Sequence, residues 1–154
     1  RQANWQRTAG KPDLGGPWEL EDADGRKVAS SDLHGQWVLI YFGFTKCPDI
    51  CPQELHKVSD VLTSLEGQGQ RILPVFITID PERDDGPRLK RYFKDAGLHP
   101  RFIGLTGSAD QLRAACRKYR VYYTRPTPEE RQAGDYLIDH SIISYLVSPD
   151  GVAS

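Results

Sequence analysis

Methionine is absent from the 154 residues, and cysteine occurs only three times. Without methionine there is no thioether sulfur, so a soft-metal site would have to use thiolate and imidazole. Three cysteines are too few, and odd in number, for a disulfide-stapled scaffold; they fit one free thiol and one functional pair. The chain is long enough to bury a core without staples. An excess of either charge is also missing. Lysine and arginine total 20 against 21 acidic residues, a net charge of −1. That balance leaves no electrostatic footprint for nucleic acid or a polybasic membrane patch. No apolar run approaches the ~18 residues of a membrane span. There is no signal-peptide pattern and no initial methionine, so the expectation is a soluble fragment or processed form that has lost its targeting segment.

What remains has the length of one domain. Residues 1–11 are polar and aperiodic and read as a leader or linker, leaving residues 12–154 as the domain. "GGPWELEDADGRKVASSDLHGQW" carries two short apolar runs around Asp24-Gly25, a β-hairpin signal. "WVLIYFGF" (37–44) and "ILPVFITID" (72–80) are continuous apolar runs suited to strands buried on both faces. Leu55, Val58, Leu62 and Leu65 recur at helical spacing up to Gly67. "PERDDGPRLKRYFKDAG" predicts a turn and a helix, and "RFIGLTG" a short strand. Ser108 is an N-cap candidate for a helix with Leu112, Ala115, Cys116 and Tyr119 on one face. "TRPTPEERQAGD" reads as a polar loop, and "YLIDHSIISYLVSPDG" as a strand ending in a turn. Alternating strands and helices predict an α/β fold with a largely parallel core.

Cys47 and Cys51 sit where a buried strand gives way to a helix, each followed by proline. Helical i, i+4 positions stand about 5–6 Å apart at Cβ. That suits two thiolates on one metal and is wide for a relaxed disulfide, at about 3.5–4.5 Å; unwinding around Pro48 and Pro52 would still let the bridge close. The helix N-terminus and Lys46 both favour thiolate. The pair therefore reads as reactive, with redox and metal roles both open. A third ligand would decide. His34, His56 and His99 occupy turn or solvent-facing contexts. His140 opens "SIISYLVSPDG" beside Asp139, and taken alone it reads as structural.

"GQWVLIYFGFTKCPDICPQEL", "PVFITIDPERD", "GLTGS", "YRVYY" and "DYLIDHSIISYLVSPDG" together resemble the Sco (SenC) family from about Gly15 to Gly151. The resemblance implies a thioredoxin-like fold, with a central mixed β-sheet flanked by helices and an N-terminal β-hairpin extension. It implies one copper ion, Cu(I) or Cu(II), held by Cys47, Cys51 and His140. The implied role is a metallochaperone assisting the copper A centre of cytochrome c oxidase. Implied partners are the oxidase copper A subunit, an upstream copper donor and related Sco-type proteins, with no nucleic acid. The alternative is a thiol-disulfide oxidoreductase that uses Cys47 and Cys51 to reduce the copper-ligand cysteines of the oxidase subunit. A peroxiredoxin-type activity is disfavoured, because no "TxxC" arrangement with a placed Arg is present. The implied location is the mitochondrial inner membrane, with the domain in the intermembrane space, or alternatively a membrane-anchored position in the bacterial periplasm. Membrane contact would be only through an N-terminal anchor that precedes residues 1–11.

In thioredoxin-like proteins a cis-proline packs against the redox cysteines; here that place falls on His140 and Ser141, so a ligand replaces a spacer. Two thiolates and an imidazole favour Cu(I), and an open three-ligand set suits release better than a closed structural zinc site. Asp139 would orient His140 or add charge. Asp80 or Glu82 would tune the centre from behind its ligands, the alternative for "DPERD" being a turn with helix-capping carboxylates. Residues 124–134 would be a moving element that carries His140 to the cysteines. Cys116 reads as a buried structural thiol, and the "YRVYY" aromatics as core and loop anchors. Two departures stand out: Lys46 replaces the family's usual histidine before the first cysteine, and the strand and helix expected after "PDG" are missing.

Overall fold

A computed structural model describes residues 14–46, 50–134 and 144–153. The predicted hairpin is there: β1 (Glu19–Asp22) pairs antiparallel with β2 (Lys27–Ala29), Glu21 opposite Lys27. Gly25 takes φ +83° in the turn, a conformation that costs glycine least. The Asp22 side chain accepts from the Asp24 and Arg26 amides at 2.8 and 2.9 Å, holding the turn closed.

The other strands are β3 (Val38–Gly43), β4 (Leu73–Thr78), β5 (Ile103–Thr106) and β6 (Ser144–Val147). They join the hairpin in one six-stranded sheet of order β2-β1-β5-β4-β3-β6. The centre is parallel, β5-β4-β3, as the alternation of elements predicts. Both flanks are antiparallel, through β1 on β5 and β6 on β3, so the sheet is mixed.

The helices are α1 (Ile50–Gly67), α2 (Gly86–Asp95), α3 (Ala109–Lys118) and α4 (Pro128–Ala133). Alternate residues of the central strands serve opposite faces, as the pleat requires. Val38, Ile40, Phe42, Val75 and Ile77 pack with Leu112, Ala115, Cys116 and Tyr119 of the α3 side. Tyr41 and Phe76 point the other way, onto Leu55 and Leu62 of α1 and Leu89 of α2. Ser108 caps α3 as expected, and its hydroxyl accepts from the Gln111 amide at 3.1 Å.

Three expectations are corrected. The stretch read as a polar loop contains α4. Thr127 caps it, Pro128 starts it, Glu129 and Glu130 face its positive end, and Gly134 closes it with φ +72°. His99 is not a surface residue: its side chain is only 7% exposed and its Nε2 contacts the Glu66 carboxylate. Of the "YRVYY" aromatics, Tyr119 is buried but Tyr122 is 64% exposed and anchors no core. The expected leader, residues 1–11, lies outside the described residues.

Candidate metal centre

The parallel strands all end on one edge of the sheet, where α/β folds place their ligands. Phe44 and Thr45 leave β3 there toward the cysteine motif, and α1 begins there at Ile50. β6 runs antiparallel to β3 with Ser144 opposite Tyr41 and Val147 opposite Val38. The described chain therefore enters β6 from the edge at which β3 leaves.

Cys47, Asp139 and His140 lie outside the described residues. The backbone of Cys51 belongs to the first turn of α1, where the helix dipole favours a thiolate; its side chain is not described. Among the described residues no group of three or more His, Cys, Asp or Glu side chains converges on a metal position. His34 and His56 are exposed, as the sequence suggests.

The "DPERD" turn divides its carboxylates among different tasks. Asp80, 3% exposed, accepts from Arg83 Nε at 2.5 Å. The Arg83 guanidinium also lies 6.0 Å from the centre of the Phe44 ring. Glu82 reaches outward, 3.4 Å from Arg131 of α4. Asp85 caps α2, accepting from the Arg88 amide at 2.9 Å. The helix cap is thus Asp85, the residue just after "DPERD", and not Asp80.

Asp84 was not singled out by the sequence. It is fully buried. Its carboxylate accepts from the Thr45 amide at 2.9 Å, the Thr45 hydroxyl at 2.5 Å and the Thr78 hydroxyl at 2.7 Å. Arg88 Nε donates to Thr45 Oγ1 at 2.8 Å and stands 3.6 Å from Asp84 Oδ1. Thr106 donates to the Asp84 carbonyl at 3.1 Å. Burial raises the Asp84 pKa above the usual carboxylate value; hydrogen bonds from Thr45 and Thr78 oppose it, and the nearby Asp80 adds to it. The available signal was a threonine at or just beyond the end of each parallel strand: Thr45, Thr78 and Thr106.

Cys116 is the third sulfur. It is buried in the α3 face of the core, and burial pushes its thiol up to about 12. A neutral thiol there packs as a small hydrophobic group, in agreement with the sequence reading.

A mixed sheet with a central βαβ unit, helices on both faces and a cysteine motif at the strand-to-helix turn defines a thioredoxin-like domain. The SCO1/SenC family model matches residues 6–153, and the chain belongs to that family. It is 47% identical over 152 residues to the mitochondrial protein SCO1 of Saccharomyces cerevisiae, covering 98% of this chain and 50% of that protein. It is 50% identical over 139 residues to the mitochondrial SCO2 homolog of Homo sapiens, covering 89% and 51%. The chain thus spans about half the length of these curated relatives. Among solved structures, copper-bound yeast Sco1 superposes with a TM-score of 0.84 at 46% identity, covering 93% of this chain and 78% of that one. BsSco, a Sco-family protein in which a disulfide switch has been identified, superposes at 0.71 with 26% identity, covering 91% and 81%.

Proposed function

We propose that this domain carries one copper ion on Cys47, Cys51 and His140 and delivers it during cytochrome c oxidase assembly. The supporting observation is the edge of the sheet where β3 ends, α1 begins and β6 starts. This topology suits a site built from the segment between residues 46 and 50 and the segment that precedes Ser144. Copper-bound yeast Sco1, similar over nearly the whole chain, supports the choice of metal.

The donor set fits the cargo. Two thiolates and a neutral imidazole form a soft site for Cu(I). An open three-ligand set leaves room for an incoming ligand, which suits transfer to a partner. The proposed partners are the copper A subunit of the oxidase, an upstream copper donor and related Sco-type proteins. The proposed role of Asp139 is to orient the His140 imidazole or to add negative charge at the site. The proposed location is the intermembrane-space side of the mitochondrial inner membrane, in keeping with the mitochondrial relatives. Residues 1–11 serve as a linker to the domain.

The disulfide switch of BsSco favours a second reading, in which Cys47 and Cys51 also act as a dithiol that reduces oxidase cysteines. The two roles use the same sulfurs and alternate on one site.

An anaerobic Cu(I) titration against a competing chelator tests the first reading. Wild type is expected to bind one copper tightly, and His140→Ala clearly less tightly. Equally poor binding by both would leave the pair as a redox couple only.

A further inference from the structure

We propose that Asp84 is the positioning residue of this centre: its buried carboxylate fixes Thr45, two residues before Cys47, and so sets how the thiolate segment leaves β3. The inference deepens the copper-site reading and rests on it.

A carboxylate that merely closed a turn would face solvent and bond its own neighbours. Asp84 does neither. It has no solvent exposure, and three donors from two other segments converge on it, Thr45 lying 39 residues away in sequence. The Thr45 amide and hydroxyl both bind it, one to each oxygen, which fixes that residue's backbone and χ1 together. Arg88 then locks the Thr45 hydroxyl from α2. Thr78 ties the same carboxylate to the end of β4, and the Thr106 hydroxyl holds the Asp84 carbonyl at the end of β5. The ends of all three parallel strands thus meet on one residue, directly before the cysteine motif.

Burying a carboxyl group is expensive unless it is bonded, and an apolar plug of the same shape would be cheaper. Such a group brings geometric specificity at the point where it is held. Groups that orient metal ligands from behind typically change affinity by about 10–100-fold when removed.

The test compares Asp84→Asn, Thr45→Val and a control, Glu66→Gln, which perturbs the last turn of α1 at its far end from Cys51. Each is measured for Cu(I) affinity by chelator competition, and metal-free for the reduction potential of the Cys47–Cys51 pair against glutathione. The expected result is about a tenfold loss of Cu(I) affinity in both Asp84→Asn and Thr45→Val. An equal change in the redox equilibrium is expected, about 30 mV for a two-electron couple. Glu66→Gln is expected to keep wild-type values. If Asp84→Asn fails to fold, Thr45→Val decides. Folded variants with wild-type affinity and potential would overturn the proposal, as would an equal shift in Glu66→Gln. If wild type takes up no Cu(I), the copper reading fails, and the potential alone supports or overturns the positioning role.

Discussion

Tyr145 donates its hydroxyl to the main-chain carbonyl of Tyr119 at 2.7 Å. Tyr119 in turn accepts from Trp18 Nε1 at 3.2 Å, across 101 residues. One residue at the end of α3 therefore joins the segment leading into the hairpin to β6, the strand that follows the His140 segment. Tyr145→Phe keeps the ring and its edge contact with Phe42 but leaves a buried carbonyl without this donor. The expected cost is about 1–3 kcal/mol, read as a shifted midpoint in denaturant unfolding with an unchanged slope.

Cys116 should be silent toward alkylation in the folded protein. The thiolate is the reactive form, and burial holds this thiol near 12, against 9.0 for an ordinary cysteine. Mass spectrometry after iodoacetamide treatment at neutral pH is expected to show Cys116 unmodified until denaturant is added. Modification of Cys116 at the unfolded-state rate under native conditions would contradict its burial.

Asp84 and Glu66 should give stability profiles of opposite slope. Burial raises the Asp84 pKa, so the native state holds this proton more tightly than the unfolded chain. Its contribution to stability is fully present below the ordinary carboxylate value and is lost as pH rises through the raised one. The stability of wild type relative to Asp84→Asn is therefore expected to fall with rising pH in that window. Glu66 is lowered, chiefly by its hydrogen bond with His99. Its contribution is present above the ordinary value and is lost as pH falls through the depressed one. Wild type relative to Glu66→Gln should rise with pH. Urea unfolding at several pH values checks both signs.

Two glycines on helices should respond in opposite ways. A Cβ at Gly86 would lie 2.1 Å from the carbonyl oxygen of Ala23, where the hairpin turn meets α2. Gly86→Ala is expected to destabilise by about 1–3 kcal/mol or more, because backbone must move. Gly67, the last residue of α1, has open space around its missing Cβ. Gly67→Ala should be neutral or stabilise by up to about 1 kcal/mol. Thermal melts of the two variants give the comparison.

The parts legible in the sequence were those that local chemistry determines. The Asp24-Gly25 turn, the apolar runs of β3 and β4, and the Ser108 cap each announce themselves within a few residues. The helix over Pro128–Ala133 is equally local but escapes a reading that takes Pro126 and Pro128 as loop markers, because Pro128 follows a capping threonine and starts the helix. His99 could not be read locally, because its partner Glu66 stands 33 residues away. The Asp84 network was hidden for the same reason. "DPERD" looks like a turn, and only the sheet brings Thr45, Thr78 and Thr106 around its last aspartate. The pair Cys47 and Cys51 stands out from its spacing at a strand-to-helix turn, whereas the choice of metal and of His140 as the proposed third ligand comes only from the family resemblance.

X-ray absorption of the Cu(I)-loaded protein reads the proposed ligand set at the metal itself. Two sulfur scatterers and one nitrogen scatterer are expected at copper in wild type, with the nitrogen lost in His140→Ala. A wild-type spectrum of sulfur alone, unchanged in His140→Ala, would contradict that ligand set.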